Sequence, residues 1–80
     1  MKYIKKPIEV EAIQYNGDNT HEIIRFTEKH AAATMGTSLV IKTLEGSMQV
    51  SVDDWVIKGI KGEFYPCKPD IFEATYDLIK

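Results

Sequence analysis

Cys67, His21, His30 and two pairs of neighbouring carboxylates are the residues of this chain best suited to catalysis. Cys67 beside either His would make a thiolate nucleophile with its base. The alternative is a half-buried thiol that packs as a small hydrophobe. His30 falls at the end of an expected helix, where an imidazolium suits the C-terminal dipole. His21 falls in that helix's first turn. Glu9 and Glu11 are two apart on an expected strand and point to one side, as an acid/base or metal-holding pair must. The same spacing suits a solvated strand face beside Lys5 and Lys6. Asp53 and Asp54 are adjacent and read as turn residues. The chain has no Gly-x-Ser-x-Gly elbow. Its single Cys excludes an internal disulfide and a Cys-based zinc site. Neither an enzyme nor a cofactor is expected.

A denser cluster lies further on. Gly59-Ile60-Lys61-Gly62 lacks the spacing of a phosphate-binding loop or a dinucleotide fingerprint. It does put flexible backbone N–H groups beside Lys58, Lys61 and Lys68, with Trp55 and Tyr65 close in sequence. Cations, aromatic faces and backbone donors are what a small anionic, nucleotide-like ligand needs. Trp55, Lys58, Lys61, Tyr65 and Lys68 are therefore the expected ligand-binding residues. The competing reading is a hairpin turn with solvated lysines and core aromatics. Strand alternation favours that competitor, because Trp55 shares the side of Ile57 and Lys58 points the other way. Pro66 and Pro69 bracket Cys67-Lys68, and such stiffness either lowers the entropy cost of recognition or merely aims the last helix.

These residues need elements to hold them. Alternation predicts a strand over 8–15, with Ile8, Val10 and Ala12 on one face. Asn16-Gly17-Asp18 stops it. Asn19 with Glu22 three residues later suits a capping box and a helix over 20–30. Residues 31–37 read as an extra helical turn or a loop. Residues 39–44 and 47–52 flank Glu45-Gly46 as a hairpin at the sheet's centre, with Met48, Val50 and Val52 on its inner face. Trp55 to Lys58 is a short strand, residues 63–67 another extended piece, and Pro69 starts a helix over 69–78. That helix carries an apolar stripe of Ile71, Phe72, Thr75, Tyr76 and Ile79. The order β-α-β-β-β-β-α predicts an α+β fold, a small, mostly antiparallel sheet or partly closed barrel covered by two helices.

Composition agrees with that class. Ten Ile against three Leu favour strands over a helical bundle. Eighty residues allow one domain, with a folded surface of roughly 4,900 Å². One copy has little room for a deep pocket, so a homo-oligomer with a cleft between copies is expected. Ten basic residues against twelve acidic ones argue against general nucleic-acid binding. No apolar run is long enough to span a membrane, and the N-terminus does not read as a secretion signal, which points to the cytoplasm.

The run Asp54-Trp55-Val56-Ile57-Lys58-Gly59, then residues 61–72 (Lys-Gly-Glu-Phe-Tyr-Pro-Cys-Lys-Pro-Asp-Ile-Phe), then Thr75-Tyr76, resembles a family of small, uncharacterised phage and prophage proteins of Gram-positive bacteria. Residues 6–15, Lys-Pro-Ile-Glu-Val-Glu-Ala-Ile-Gln-Tyr, resemble the start of the same proteins. The likeness covers most of the chain except 16–38. Asp53 is a departure, since relatives often carry Gly there. If that Gly needs a positive φ, Asp is among the better substitutes. The resemblance implies a setting and carries no catalytic residues. Small acidic phage proteins of this kind often act on host defence, some as inhibitors that bind Cas nucleases, others as oligomers that sequester nucleotide-type immune signals. The leading expectation is a non-enzymatic, anti-defence protein sequestering a small anionic signal in the cytoplasm of the infected or lysogenic host. Direct inhibition of a host defence protein, and a structural or regulatory accessory role in the phage, are the alternatives.

Overall fold

The computed structural model describes residues 1–4, 6–34 and 39–78. Among them six strands and two helices follow the order β1 (Glu11–Gln14), α1 (Thr20–Phe26), β2 (Ala31–Ala33), β3 (Leu39–Thr43), β4 (Gly46–Val50), β5 (Trp55–Lys58), β6 (Phe64–Cys67) and α2 (Pro69–Thr75). The strands form two antiparallel, three-stranded sheets, β1-β5-β6 and β2-β3-β4. The fold is α+β, and no barrel closes. Neither helix is long or apolar enough to cross a membrane.

Two sheets replace the single expected one because β4 pairs with β3 and not with β5, and one of the two sheets gains an additional strand. Ala31–Ala33 is extended and pairs with Leu39–Val40–Ile41, where an extra helical turn or a loop was expected. Residues 35–37 of that stretch lie outside the described residues. Alanine's helical preference loses here to tertiary pairing, which buries Ala31 beneath β3. The helix before it ends early for a backbone reason. Glu28 and Lys29 both adopt positive φ, 54° and 71°, which a helix cannot continue through. Thr27 follows α1 as its cap and is fully buried; its hydroxyl accepts from the Ala31 N–H at 3.0 Å, tying helix end to β2.

Asn19 is the N-cap, as its spacing to Glu22 suggests, but its side chain does not bond the helix's N–H groups. It donates instead to Glu22 Oε1 at 2.9 Å and accepts from the Asn16 N–H at 2.9 Å. The hairpin turn is Leu44-Glu45 rather than Glu45-Gly46, since Thr43 pairs with Gly46. Gly46 has a φ of 110°, so the glycine serves the first residue after the turn. Of the two hairpin strands, β3 alone is central to its sheet. β4 lies at an edge, and of its expected inner face Val50 alone is buried; Met48 and Val52 are 43% and 56% exposed.

The core lies between the sheets. Val56 and Phe64 from one sheet meet Ala31, Leu39, Ile41 and Val50 from the other, with Tyr15 and Ile23 closing the ends. Cross-strand partners share a face. The register therefore puts Ile13, Val56 and Phe64 on the core side of the first sheet, and Ala12, Trp55, Ile57, Tyr65 and Cys67 on its outer side. That outer side positions the candidate site. α2 is shorter than expected and buries no residue fully; Ile71 is 56% exposed, and Ile79 lies outside the described residues. Residues 8–10 precede β1 instead of belonging to it.

Candidate functional site

Trp55 opens β5 and faces outward, away from the core. Phe72, one turn into α2, stacks on its indole with ring centroids 4.2 Å apart and planes at 21°. Tyr76 continues the row, 5.0 Å from Phe72. The i, i+4 spacing of Phe72 and Tyr76 puts both on one helical face. Pro69 at the first helical position, following Lys68 in extended backbone, aims that face back at β5. Across from these rings run Pro7 to Val10 and Ala12. Together they enclose a cavity of about 670 Å³, whose remaining wall is Thr75, Asp77 and Leu78. Small-molecule sites span roughly 300–1,000 Å³.

The lining gives this cavity its chemical character. Among the described residues its ionisable lining is Glu9 and Asp77, both carboxylates, with Tyr76, and no lysine or arginine. The indole Nε1–H of Trp55 is buried and has no hydrogen-bond acceptor among the described residues. An unmade buried donor costs on the order of 1–3 kcal/mol.

Of the five residues expected from sequence, Trp55 lines the cavity and Tyr65 stands behind it. Tyr65 shares the outer face and hydrogen bonds with the Tyr76 side chain. Burial first, then that hydrogen bond and the nearby Tyr76 and Glu63 charges, push its phenol from 10.0 up to about 12. The three lysines do not converge with them. Lys58 is on the opposite face at the far end of β5, across from Glu11 and Phe64. Four strand residues separate the two ends by about 10 Å. Lys61 is exposed at the β5–β6 turn. Lys68 is held by Asp54, with Nζ at 3.1 and 3.2 Å from its carboxylate oxygens.

The turn's backbone donors are occupied as well. Glu63 curls over Gly59 and accepts from the Lys61 N–H at 3.0 Å, so the chain's own carboxylate fills the spot expected for an anion. A Cβ on Gly59 would overlap that carboxylate. The N–H groups of Gly59 and Gly62 bond to Glu63 O and Gly59 O.

The other candidates are dispersed. His30 Nδ1 lies 2.8 Å from Thr27 O, with its ring 5.6 Å from Phe64. His21 is exposed in α1. Cys67 is half-buried, and burial raises its thiol pKa, with Asp54 and Asp70 adding to the rise. A raised thiol is a poor nucleophile near neutral pH. Among the described residues, no three His, Cys, Asp or Glu come together as a metal site.

The residues that sequence reasoning missed are Phe72, Tyr76, Glu9 in this role, and Asp77. Phe72 and Tyr76 were visible as an apolar stripe, but the stripe alone does not say that it would line a cavity. Compared with protein-family models, curated proteins and solved structures, the chain matches none.

Proposed function

We propose that the protein is a non-enzymatic binding domain that holds a small, ring-bearing ligand against Trp55. The observation that carries this reading is the row of Trp55, Phe72 and Tyr76 rings along a cavity of about 670 Å³. Phe72 and Tyr76 supply the apolar and stacking surface. Stacking on such rings is worth on the order of 1–3 kcal/mol per base. Glu9 and Asp77 accept hydrogen bonds from ring N–H or amino groups and repel phosphate. A nucleotide-type ligand thus enters by its base and keeps its phosphates in solvent. In the phage setting that the motif implies, the ligand is an immune signal, and holding it counters host defence in the cytoplasm of the infected or lysogenic bacterium.

Absorbance at 260 nm of the purified protein is the first test, since a tightly held nucleotide copurifies. Calorimetric titration with nucleosides, cyclic dinucleotides and ADP-ribose-type compounds is the second. Binding of a nucleoside about as tightly as its nucleotide supports the base-first arrangement. No heat from any ring ligand overturns the reading and turns attention to direct binding of a host protein.

A further inference from the structure

Among the described residues, 1–4 and 6–10 form an arm ahead of β1, of which 7–10 run along the cavity. Glu11 pairs with Lys58, the last residue of β5, so the residues before it have no strand of either sheet beside them. β1 itself is an edge strand. The arm nevertheless carries Tyr3, Ile4 and Ile8, which are 86%, 93% and 45% exposed. The whole molecule exposes 6488 Å², about a third more than the roughly 4,900 Å² of a compact chain of this mass. That excess, roughly 1,600 Å² in each copy, is about twice the roughly 800 Å² that each partner of a standard interface buries. The arm's charges are also divided: Lys2, Lys5 and Lys6 precede Pro7-Ile8, and Glu9 and Glu11 follow it.

We propose that two copies associate through these arms, antiparallel about a two-fold axis. Antiparallel pairing sets the basic half of one arm against the acidic half of the other, whereas parallel pairing sets like on like. The symmetry makes each contact occur twice. Pro7, near the axis, forfeits one ladder hydrogen bond, which an edge position tolerates. Centred on Pro7-Ile8, the pairing brings Ile4 of one copy beside Val10 to Ala12 of the other. Pro7 to Val10 and Ala12 wall the cavity, so the second copy borders the candidate site. The inference stands whether or not the cavity takes a nucleotide-type ligand.

Sedimentation at micromolar concentration tests it. The parent should run at about twice its 9.1 kDa chain mass. One variant, with Lys2→Glu, Lys5→Glu and Lys6→Glu, has an acidic arm; a second, with Glu9→Lys and Glu11→Lys, has a basic one. Each alone should be monomeric where the parent is dimeric, with association weakened tenfold or more. Their equimolar mixture should restore the dimer. Circular dichroism checks that both variants keep the parent's fold. A monomeric parent, variants that dimerise as the parent does, or folded variants that stay monomeric on mixing would each overturn the proposal.

Discussion

Lys68 reaches back from the start of α2 to Asp54, its Nζ 3.1 Å from Oδ2 and 3.2 Å from Oδ1. The carboxylate side chain is 3% exposed and the lysine 59%. Oδ2 also accepts from the Ser51 N–H at 2.9 Å, so Asp54 ties the turn before β5 to the helix after β6. A lysine that reads in sequence as a ligand contact is thereby a structural one.

Removing either partner should therefore be felt in stability. Lys68→Ala should cost about 1–2 kcal/mol, less than a fully buried pair because the lysine is half in water. Asp54→Ala should cost about 2–4 kcal/mol, since it also orphans a backbone donor. Lys58→Ala and Lys61→Ala should stay within about 0.5 kcal/mol of the parent. Thermal melts decide; a Lys68→Ala variant that melts with the parent would mean the ion pair contributes nothing.

Asp53 has a φ of 77°, in the left-handed region. Its N–H donates to Tyr15 O at 2.7 Å, so the conformation is anchored. Asp53→Gly should stabilise by up to about 1 kcal/mol, and Asp53→Val should destabilise by about 1–2 kcal/mol. Urea titrations of the two variants should move in opposite directions. Equal midpoints would contradict the assigned backbone.

Tyr65 sets an alkaline limit. Burial, with the Tyr76 hydrogen bond adding to it, pushes its phenol from 10.0 to about 12. A folded pKa above the unfolded one means stability that is fully present below pH 10.0 and lost as pH rises through about 12. Denaturant midpoints should fall across that window, and Tyr65→Phe should flatten the fall. A Phe variant that follows the parent's profile would count against the assignment.

Cys67 should be slow to react. Burial, then Asp54 and Asp70, raise its thiol above 9.0. Alkylation at neutral pH should be slower in the folded protein than in denaturant, and Asp70→Asn should speed it. A folded protein that reacts faster than the unfolded chain would reopen a nucleophilic role for this thiol.

Much of the fold was legible from local pattern. Trp55 to Lys58 keeps its bounds, and Pro69 starts its helix, because β-branched runs and a first-turn proline act locally. Asp53-Asp54 reads as a turn, and aspartate is among the residues that tolerate the positive φ found at Asp53. Ala31–Ala33 misled, since three alanines carry no strand signal and their extension depends on β3. Site residues fared unevenly for a related reason. Trp55 and Tyr65 share a face by parity, and the same parity sets Lys58 on the other side; Lys61 in a turn and Lys68 at a helix start lie where alternation says nothing. Glu63 over Gly59 and Asp54 beneath Lys68 are contacts that no spacing rule announces. Glu9 and Asp77 meet at the cavity from opposite ends of the chain.

Trp55 is the chain's single tryptophan, so its emission reports the cavity directly. Titrating the protein with guanosine and with guanosine monophosphate, at low and high salt, is the most direct test of the binding reading. Both should change the emission with dissociation constants within about threefold of each other and little salt dependence, because the ionisable lining among the described residues is Glu9, Tyr76 and Asp77. Phe72→Ala should weaken both about tenfold, or 1.4 kcal/mol. No emission change with either compound, or binding that Phe72→Ala leaves intact, would contradict the account.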